Sequence, residues 1–254
     1  LAKVGLCAGM EVMVHSSMRC LGYVVNGALD VIDAILDIIG NDGTLLMPAH
    51  TGQLTDPVDW QQPPVPEKYV DTIRQCMRPF DPKTTPVRNR GLIAQTFLTY
   101  PYVFRSSHML NSVAAKGKMA AFFTEVHDLH ASEGMNSPIG RLYEREGYIL
   151  LIGVGLNSCT AIHLAEFIMD VYYLRDSQLK VLIKADDGIN KFVRLERYPS
   201  TSDFFNKLLP ELRNRNMLKE VAFGSGRLSL LPVKELVELA MESLHVDQDY
   251  FLKP

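Results

Sequence analysis

Tyr148-Ile149-Leu150-Leu151-Ile152-Gly153-Val154 runs through Gly155-Leu156-Asn157-Ser158-Cys159 into Thr160-Ala161-Ile162-His163-Leu164-Ala165-Glu166. The first segment is an unbroken apolar run closed by glycine, the pattern of a strand buried on both faces. The second is turn chemistry, and the third is a helix opened by Thr160. A doubly buried strand feeding a helix belongs to an α/β sheet covered on both sides, in which ligands favour the crevice beyond the carboxyl ends of the strands. His163 sits one turn into the helix that leaves that crevice.

The same alternation extends outward. Upstream, Glu11 to Val14 and Thr44 to Met47 read as short apolar strands around a helix over residues 27–39, with Asn41-Asp42-Gly43 as the intervening turn. The stretch from Pro48 to about Lys68 carries Pro57, Pro63, Pro64, Pro66 and Trp60 and reads as a long irregular loop, either a lid or binding loop or an ordered Ω-loop. Helices are expected over 69–77 and 92–98, a strand over 112–115, and helices over 118–126 and from Ser137-Pro138, where Ser caps and Pro fills the first turn. Downstream, residues 180–184 and 191–197 flank Asp186-Asp187-Gly188 as an antiparallel hairpin, expected at an edge of the sheet. A Gly-interrupted strand or strand pair over 221–231 lies between helices over 204–213 and 232–245. The expected fold is a three-layer α/β/α sandwich with a mixed, largely parallel central sheet and a C-terminal β-hairpin/helix extension, in one domain spanning 1–254.

Composition narrows the function class. With 47% hydrophobic and 22% charged residues in 254, the chain is long enough for a large core and too apolar for disorder. A net charge of -3 offers no basic excess for nucleic acid or an anionic membrane surface, and no apolar run approaches a membrane span. Cys7, Cys20, Cys76 and Cys159 are scattered without CxxC spacing, which points to a reducing cytoplasm. The histidines His15, His50, His108 and His163 show no HxH or HExxH spacing, so no metal is expected. His127 and His130, within the polar segment from Glu125 to Glu133, read as a solvated surface element. GxGxxG, GxxxxGK[ST] and GxSxG patterns are missing, which removes support for nicotinamide, nucleotide triphosphate and elbow-type serine hydrolase sites.

His163 and Glu166 are three residues apart, so on a helix they share a face and their side chains can hydrogen-bond. A carboxylate that fixes the imidazole tautomer makes a general base suited to neutral pH. The same spacing also describes a solvated helix face.

Other segments, in order, resemble the aminoglycoside 3-N-acetyltransferases. They are Val14-His15-Ser16-Ser17-Met18, residues 21–28, Gly43-Thr44-Leu45-Leu46-Met47-Pro48-Ala49-His50-Thr51, Phe80-Asp81-Pro82 with Thr84-Thr85-Pro86, Arg105-Ser106-Ser107-His108, Asn111-Ser112-Val113-Ala114-Ala115-Lys116-Gly117, Ser137-Pro138 and His163-Leu164-Ala165-Glu166. The blocks cover about residues 5 to 166, with a weaker match over 224–244. Asn26, where the family commonly has Gly, and Met109-Leu110, where Pro is usual, depart from the pattern near the cofactor loops.

The resemblance implies acetyl-CoA as co-substrate, transfer to the 3-amino group of an aminoglycoside, His163 as the catalytic base and Glu166 as its acidic partner. It implies Ser16, Ser17, Val24 and Asn26 on the pantetheine and pyrophosphate path, with Arg105, Ser106, His108, Ser112 and Val113 lining the same cleft. Arg105 could instead form a surface ion pair, and residues 112–115 a plain core strand. Ser17 and Thr160 are hydroxyl candidates for the oxyanion. A cationic acceptor calls for acids, for which Asp56 and Asp170, with Asp59 and Asp128, are in reach. Alternatives are a relative that acetylates a different metabolite amine, a CoA-binding protein without turnover, and a serine hydrolase built on Ser17 and His163.

Overall fold

The computed structural model describes residues 1–185, 187–199 and 201–254. In chain order the elements are β1 (Glu11–Ser16), α1 (Ala28–Ile39), β2 (Thr44–Pro48), α2 (Glu67–Cys76), α3 (Gly91–Phe97), β3 (Phe104–Arg105), β4 (Val113–Gly117), α4 (Ala120–Thr124) and α5 (Pro138–Glu144). They continue with β5 (Tyr148–Ile152), α6 (Ile162–Ile168), β6 (Lys180–Lys184), β7 (Asn190–Arg194), α7 (Leu209–Asn214), β8 (Lys219–Phe223), β9 (Gly226–Pro232) and α8 (Val233–Val246).

A seven-stranded sheet runs β3-β4-β2-β1-β5-β9-β8. Its centre is parallel: β1 pairs with β2 and with β5. The pairings outside that centre are antiparallel, so β4 and β9 run against the other five strands of the sheet, which share one direction. Alternation along the central strands divides two cores. Met13, Leu46, Ile149 and Leu151 face the layer of α4, α5, α6 and α8. Val12, Val14, Leu45, Met47, Leu150 and Ile152 face the layer of α1 and α3. Strict period 2 in a strand that is apolar at every position is what a sheet covered on both sides requires.

Two local readings are corrected. The β6-β7 hairpin is a separate two-stranded sheet rather than an edge of the central one. It docks on the long loop through a Thr55–Val181 bridge and the Asp56 N–H to Lys180 carbonyl bond. Of its expected turn, Asp186 lies outside the described residues, and Gly188 adopts φ 81°. The edge is taken instead by the β8-β9 hairpin, which leads straight into α8. Secondly, the helix expected over 204–213 is a 3-10 turn (Phe205–Leu208) followed by α7, with Pro210 in the first turn of α7. The long loop itself is ordered: Trp60 Nε1 donates to the Thr55 carbonyl and hydroxyl, and Arg74 in α2 grips Asp56 with two nitrogens at 2.9 and 2.8 Å. No helix among the described residues is long and apolar enough to cross a membrane.

Candidate active site

Because β1, β2 and β5 are parallel, their carboxyl ends open on one side, and each hands a polar residue to the same crevice: His15 and Ser16 from β1, His50 just beyond β2, and the Gly153–Thr160 connection beyond β5. That connection turns through a 3-10 segment (Leu156–Ser158), anchored where the Leu156 N–H donates to Asn206 Oδ1 at 2.9 Å, and enters α6. Every residue of α6 from Ile162 to Phe167 is buried. Its polar pair therefore sits inside the protein, not on a solvated face.

His163 Nδ1 lies 2.6 Å from Glu166 Oε2. The hydroxyl of Tyr173, just beyond α6, donates to Glu166 Oε1 at 2.8 Å. A carboxylate that is 0% exposed and flanked by these two groups accepts from Nδ1–H, which assigns the imidazole its tautomer and leaves Nε2 unprotonated. Below the ring, Phe205 meets it edge-on at 4.8 Å and is itself backed by Phe251 at 4.9 Å. Burial penalises the imidazolium, but the charge and hydrogen bond of Glu166, helped by the charge of Glu133, outweigh that penalty and hold the pKa of His163 above its usual 6.5.

Two adjoining cavities of about 180 Å³ each meet at Arg90 and Ser158. The one over His163 is lined by His50, Asn111, Glu133, Thr160 and Tyr198 among others. Its neighbour is floored by the ends of β1 and β2, including His15 and Ser16, and walled by Asn89, Arg90 and Gly91 at the start of α3. His15 Nε2 is buried there with no hydrogen-bond partner among the described residues. Burial first, and then the charge of Arg90, hold this imidazole neutral with a pKa of about 3. An open, polar double cleft with a guanidinium at the junction and an unpaired imidazole nitrogen in its wall suits a long, hydrogen-bonding, anionic chain such as CoA in one arm and an amine in the other.

The sequence expectations fare unevenly against this geometry. Ser16 lines the cleft; Ser17 is half-buried beside it, and its N–H is spent on the Ile152 carbonyl. Val24 and Asn26 lie on the loop before α1, where Asn26 is exposed and bonded to Asp30. Arg105 forms no ion pair among the described residues. It donates to the Ser112 hydroxyl and to the Thr85 and Ala49 carbonyls and lies 4.9 Å from the centre of the Phe80 ring, stapling the Pro-rich 79–86 segment to the sheet.

Ser106, His108, Ser112 and Val113 lie on β4 and the turn before it, where their polar groups bond within the protein. The Ser106 hydroxyl donates to His127 Nδ1 and accepts from the Val113 N–H. His127 Nε2 donates to the Ser132 carbonyl. His108 Nδ1 accepts two backbone N–H groups while Nε2 donates to the Leu129 carbonyl, and Ser112 bonds the Ala49 carbonyl. All of this buried polarity finds partners within the protein.

Asp56 and Asp170 do not line the cavity over His163. Asp56 is neutralised by Arg74, and Asp170 by Arg175 and Arg197. The 125–133 segment is likewise not a solvated element, because His127 packs 4.7 Å from the His108 ring and Glu133, 2% exposed, lines the cavity. Glu133, Arg90 and Tyr198 went unmarked in sequence, and His50 was weighed only as a metal ligand and as part of a matching block, since each reaches the site from a different segment and none carries a local spacing signal.

The profile of the family described as aminoglycoside 3-N-acetyltransferase matches residues 13–245. The SPbeta prophage-derived aminoglycoside N(3')-acetyltransferase-like protein YokD of Bacillus subtilis is 34% identical over 241 residues, covering 94% of this chain and 88% of its own. Its crystal structure superposes with a TM-score of 0.87, covering 97% of this chain and 90% of that one. The aminoglycoside acetyltransferase AAC(3)-IVa apoenzyme superposes at 0.84 with 28% identity, covering 100% and 88%. AAC-IIIb, solved as a binary complex with CoASH, superposes at 0.83 with 25% identity, covering 97% and 93%. On the profile match and the near full-length kinship, this chain belongs to the aminoglycoside 3-N-acetyltransferase family.

Proposed function

We propose that this protein transfers the acetyl group of acetyl-CoA to the 3-amine of an aminoglycoside, with His163 as general base and Glu166 as the residue that orients it. The observation that carries the reading is the buried Tyr173–Glu166–His163 chain, which ends at the base of a polar cavity, with no hydrogen-bond partner for the imidazole Nε2 among the described residues.

An ammonium group has no lone pair, so the acceptor first gives up a proton to water. Attack of the resulting amine on the thioester carbonyl forms the C–N bond while the surplus proton on nitrogen passes to His163 Nε2. Collapse of the tetrahedral intermediate breaks the C–S bond, and the departing CoA thiolate takes that proton back from the imidazolium. Thr160 lines the cavity, and among the described residues its hydroxyl makes only a 3.8 Å contact with Met13 sulfur, which leaves it able to turn toward the developing oxyanion. CoA would follow the arm floored by His15 and Ser16 and pass Arg90.

We read residues 1–254 as one domain, because a single sheet separates both large core clusters. The free state of Cys7, Cys20, Cys76 and Cys159 supports a place in the cytoplasm.

A second reading, a smaller and less cationic amine as acceptor, is favoured by one observation: Glu133 is the one carboxylate among the described lining residues. Thiol release from acetyl-CoA, followed with a thiol-reactive dye against aminoglycosides and unrelated amines, separates the two. Release that depends on gentamicin- or kanamycin-type acceptors, with mass spectrometry placing the acetyl on the 3-amine, upholds the first. Release with simple amines alone replaces it by the second.

A further inference from the structure

Arg90 lines both cavities at the point where they join, and among the described residues its guanidinium forms no ion pair and no hydrogen bond. The residue as a whole is exposed, yet the protein atoms crowding its head group lower its pKa from the usual 12.5, and the group stays charged. Asn89 has φ 58° and Gly91 φ 78°, so Arg90 stands between two residues in the left-handed region, an arrangement that concentrates at ligand clamps. The Arg88 N–H donates to the His50 carbonyl at 3.0 Å, and a Cβ on Gly91 would lie 3.8 Å from the Ser16 carbonyl. The turn is thus held against the ends of β2 and β1, with Arg90 at the junction.

A crowded cation without a partner calls for an anion. The phosphates of CoA lie at the far end of the neutral pantetheine arm from the sulfur, so they are remote from a cavity that receives the thioester. An aminoglycoside brings ammonium groups. What remains are the charges that the reaction creates, on the carbonyl oxygen and on the sulfur. With the Thr160 hydroxyl turned to the oxygen, the sulfur is left without a donor.

Resting on the acetyl-transfer reading above, we propose that Arg90 is a catalytic residue for the departure of CoA: its guanidinium meets the sulfur at the junction of the two cavities and stabilises the thiolate as the C–S bond breaks.

In that step the C–S electron pair moves onto sulfur, the proton held on His163 Nε2 passes to it, and CoASH leaves neutral. Arg90 gives up no proton and acts by charge and hydrogen bonding. The thioester of acetyl-CoA is neutral, so the interaction belongs to the transition state and raises kcat rather than affinity. The charge of Arg90 also opposes protonation of His15, His50 and His163, which sets all three rings within its field.

The test reads the ionisation of the CoA thiol in the binary complex, which needs neither acceptor nor turnover. CoASH and desulfo-CoA, which lacks the thiol, are titrated calorimetrically into the protein from about pH 6 to about pH 9.5, across the ordinary range of a thiol. In the wild-type protein the thiol pKa should fall by about one unit or more on binding, the effect of an opposite charge in contact, so that CoASH but not desulfo-CoA gains about tenfold or more in affinity toward the alkaline end. His163 and Glu133 share the cavity, and comparison with Arg90→Met isolates the share of the arginine. That variant should abolish the gain and lower kcat by about tenfold or more, with KM for acetyl-CoA within about threefold. Arg90→Lys, which keeps the charge, should restore part of both. An unshifted thiol in the wild-type protein overturns the proposal by itself, as does a shift that Arg90→Met retains; normal turnover beside either result leaves the acetyl-transfer reading standing. If the shift is present and lost in Arg90→Met but no amine releases thiol, the acetyl-transfer reading falls and Arg90 stands as the partner of the bound thiolate. Failure of CoASH to bind overturns both.

Discussion

The Nδ1 of His163 lies 2.6 Å from Glu166 Oε2, and the other oxygen of that carboxylate takes the Tyr173 hydroxyl at 2.8 Å. Three side chains thus form one line in which the buried carboxylate is shared between a phenol and an imidazole. The phenol keeps Glu166 from rotating, Glu166 fixes the tautomer, and the tautomer leaves Nε2 unprotonated, as the proposed base requires.

Replacement of His163 by Ala is expected to lower kcat by about a hundred- to ten-thousand-fold, the usual contribution of a positioned base, while leaving CoA affinity intact. Glu166→Gln should fall in the same range, because an amide can present its N–H to Nδ1 and favour the wrong tautomer. Tyr173→Phe should cost under about tenfold, the loss of a single hydrogen bond to a carboxylate that keeps its imidazole partner. Steady-state kinetics with CoA affinity measured separately checks the order; a Tyr173→Phe loss as deep as that of His163→Ala would mean the phenol itself handles a proton.

The pH profile follows from the direction of the His163 shift. Its pKa is held above 6.5, burial being outweighed by Glu166 and Glu133, and the base works only when neutral. The acid limb of kcat/KM should therefore have its midpoint above 6.5, with activity rising as pH increases through it. Glu166→Gln removes the principal charge that raises the pKa and should move the residual limb to lower pH. Stability runs the opposite way for this residue: its contribution is complete below pH 6.5 and is lost as pH rises through the folded-state pKa. A limb well below 6.5 in the wild-type protein would remove His163 as the base.

Legibility in sequence followed distance along the chain. His163 and Glu166 share one helical face, and β5 announces itself by an unbroken apolar run, so both could be read locally. Tyr173 lies beyond the end of α6 and joins the pair only because the chain turns back in the 3-10 segment Tyr172–Asp176. His50 follows β2, which pairing through β1 brings beside β5, and Glu133 comes from the connection between α4 and α5; local patterning encodes neither placement. Asp56 and Asp170 looked available as acids in loops; Arg74 and Arg197 neutralise them from 18 and 27 positions away. The 180–194 hairpin was equally legible as a hairpin, but alternation does not say which edge it will join, and it joined none of the central sheet.

Acid sensitivity should arise from histidines outside the catalytic chain. Burial holds His15 and His127 neutral with pKa values of about 3, and His108 with one of about 4, against 6.5 in an unfolded chain. The unfolded state therefore takes up protons that the folded state refuses: stability is intact above pH 6.5 and is lost as pH falls from there toward 4. Each of the three adds up to about 1.4 kcal/mol per pH unit over that window. Urea unfolding at pH 7.5, 6.0 and 5.0 should show the midpoint dropping, and His127→Gln should flatten the slope; a midpoint independent of pH across this range would contradict the assignment.

Phe205 links the stability of the protein to the aim of its base. It is fully buried, meets the His163 ring at 4.8 Å with a 63° interplanar angle, and is held from behind by Phe251 at 78°. Truncation to Ala removes a large core side chain and should cost about 3–5 kcal/mol of stability. It also opens space beneath the imidazole, so turnover should fall further than the folded fraction alone accounts for. Phe205→Leu keeps most of the volume and should recover most of the stability, yet it lacks the ring edge that fixes the plane of the imidazole. Chemical denaturation and single-turnover rates on both variants separate the two effects. If Phe205→Leu regains stability and full activity together, Phe205 serves the core alone and Glu166 suffices to aim His163; if activity stays depressed while stability returns, the aromatic stack is part of what positions the base.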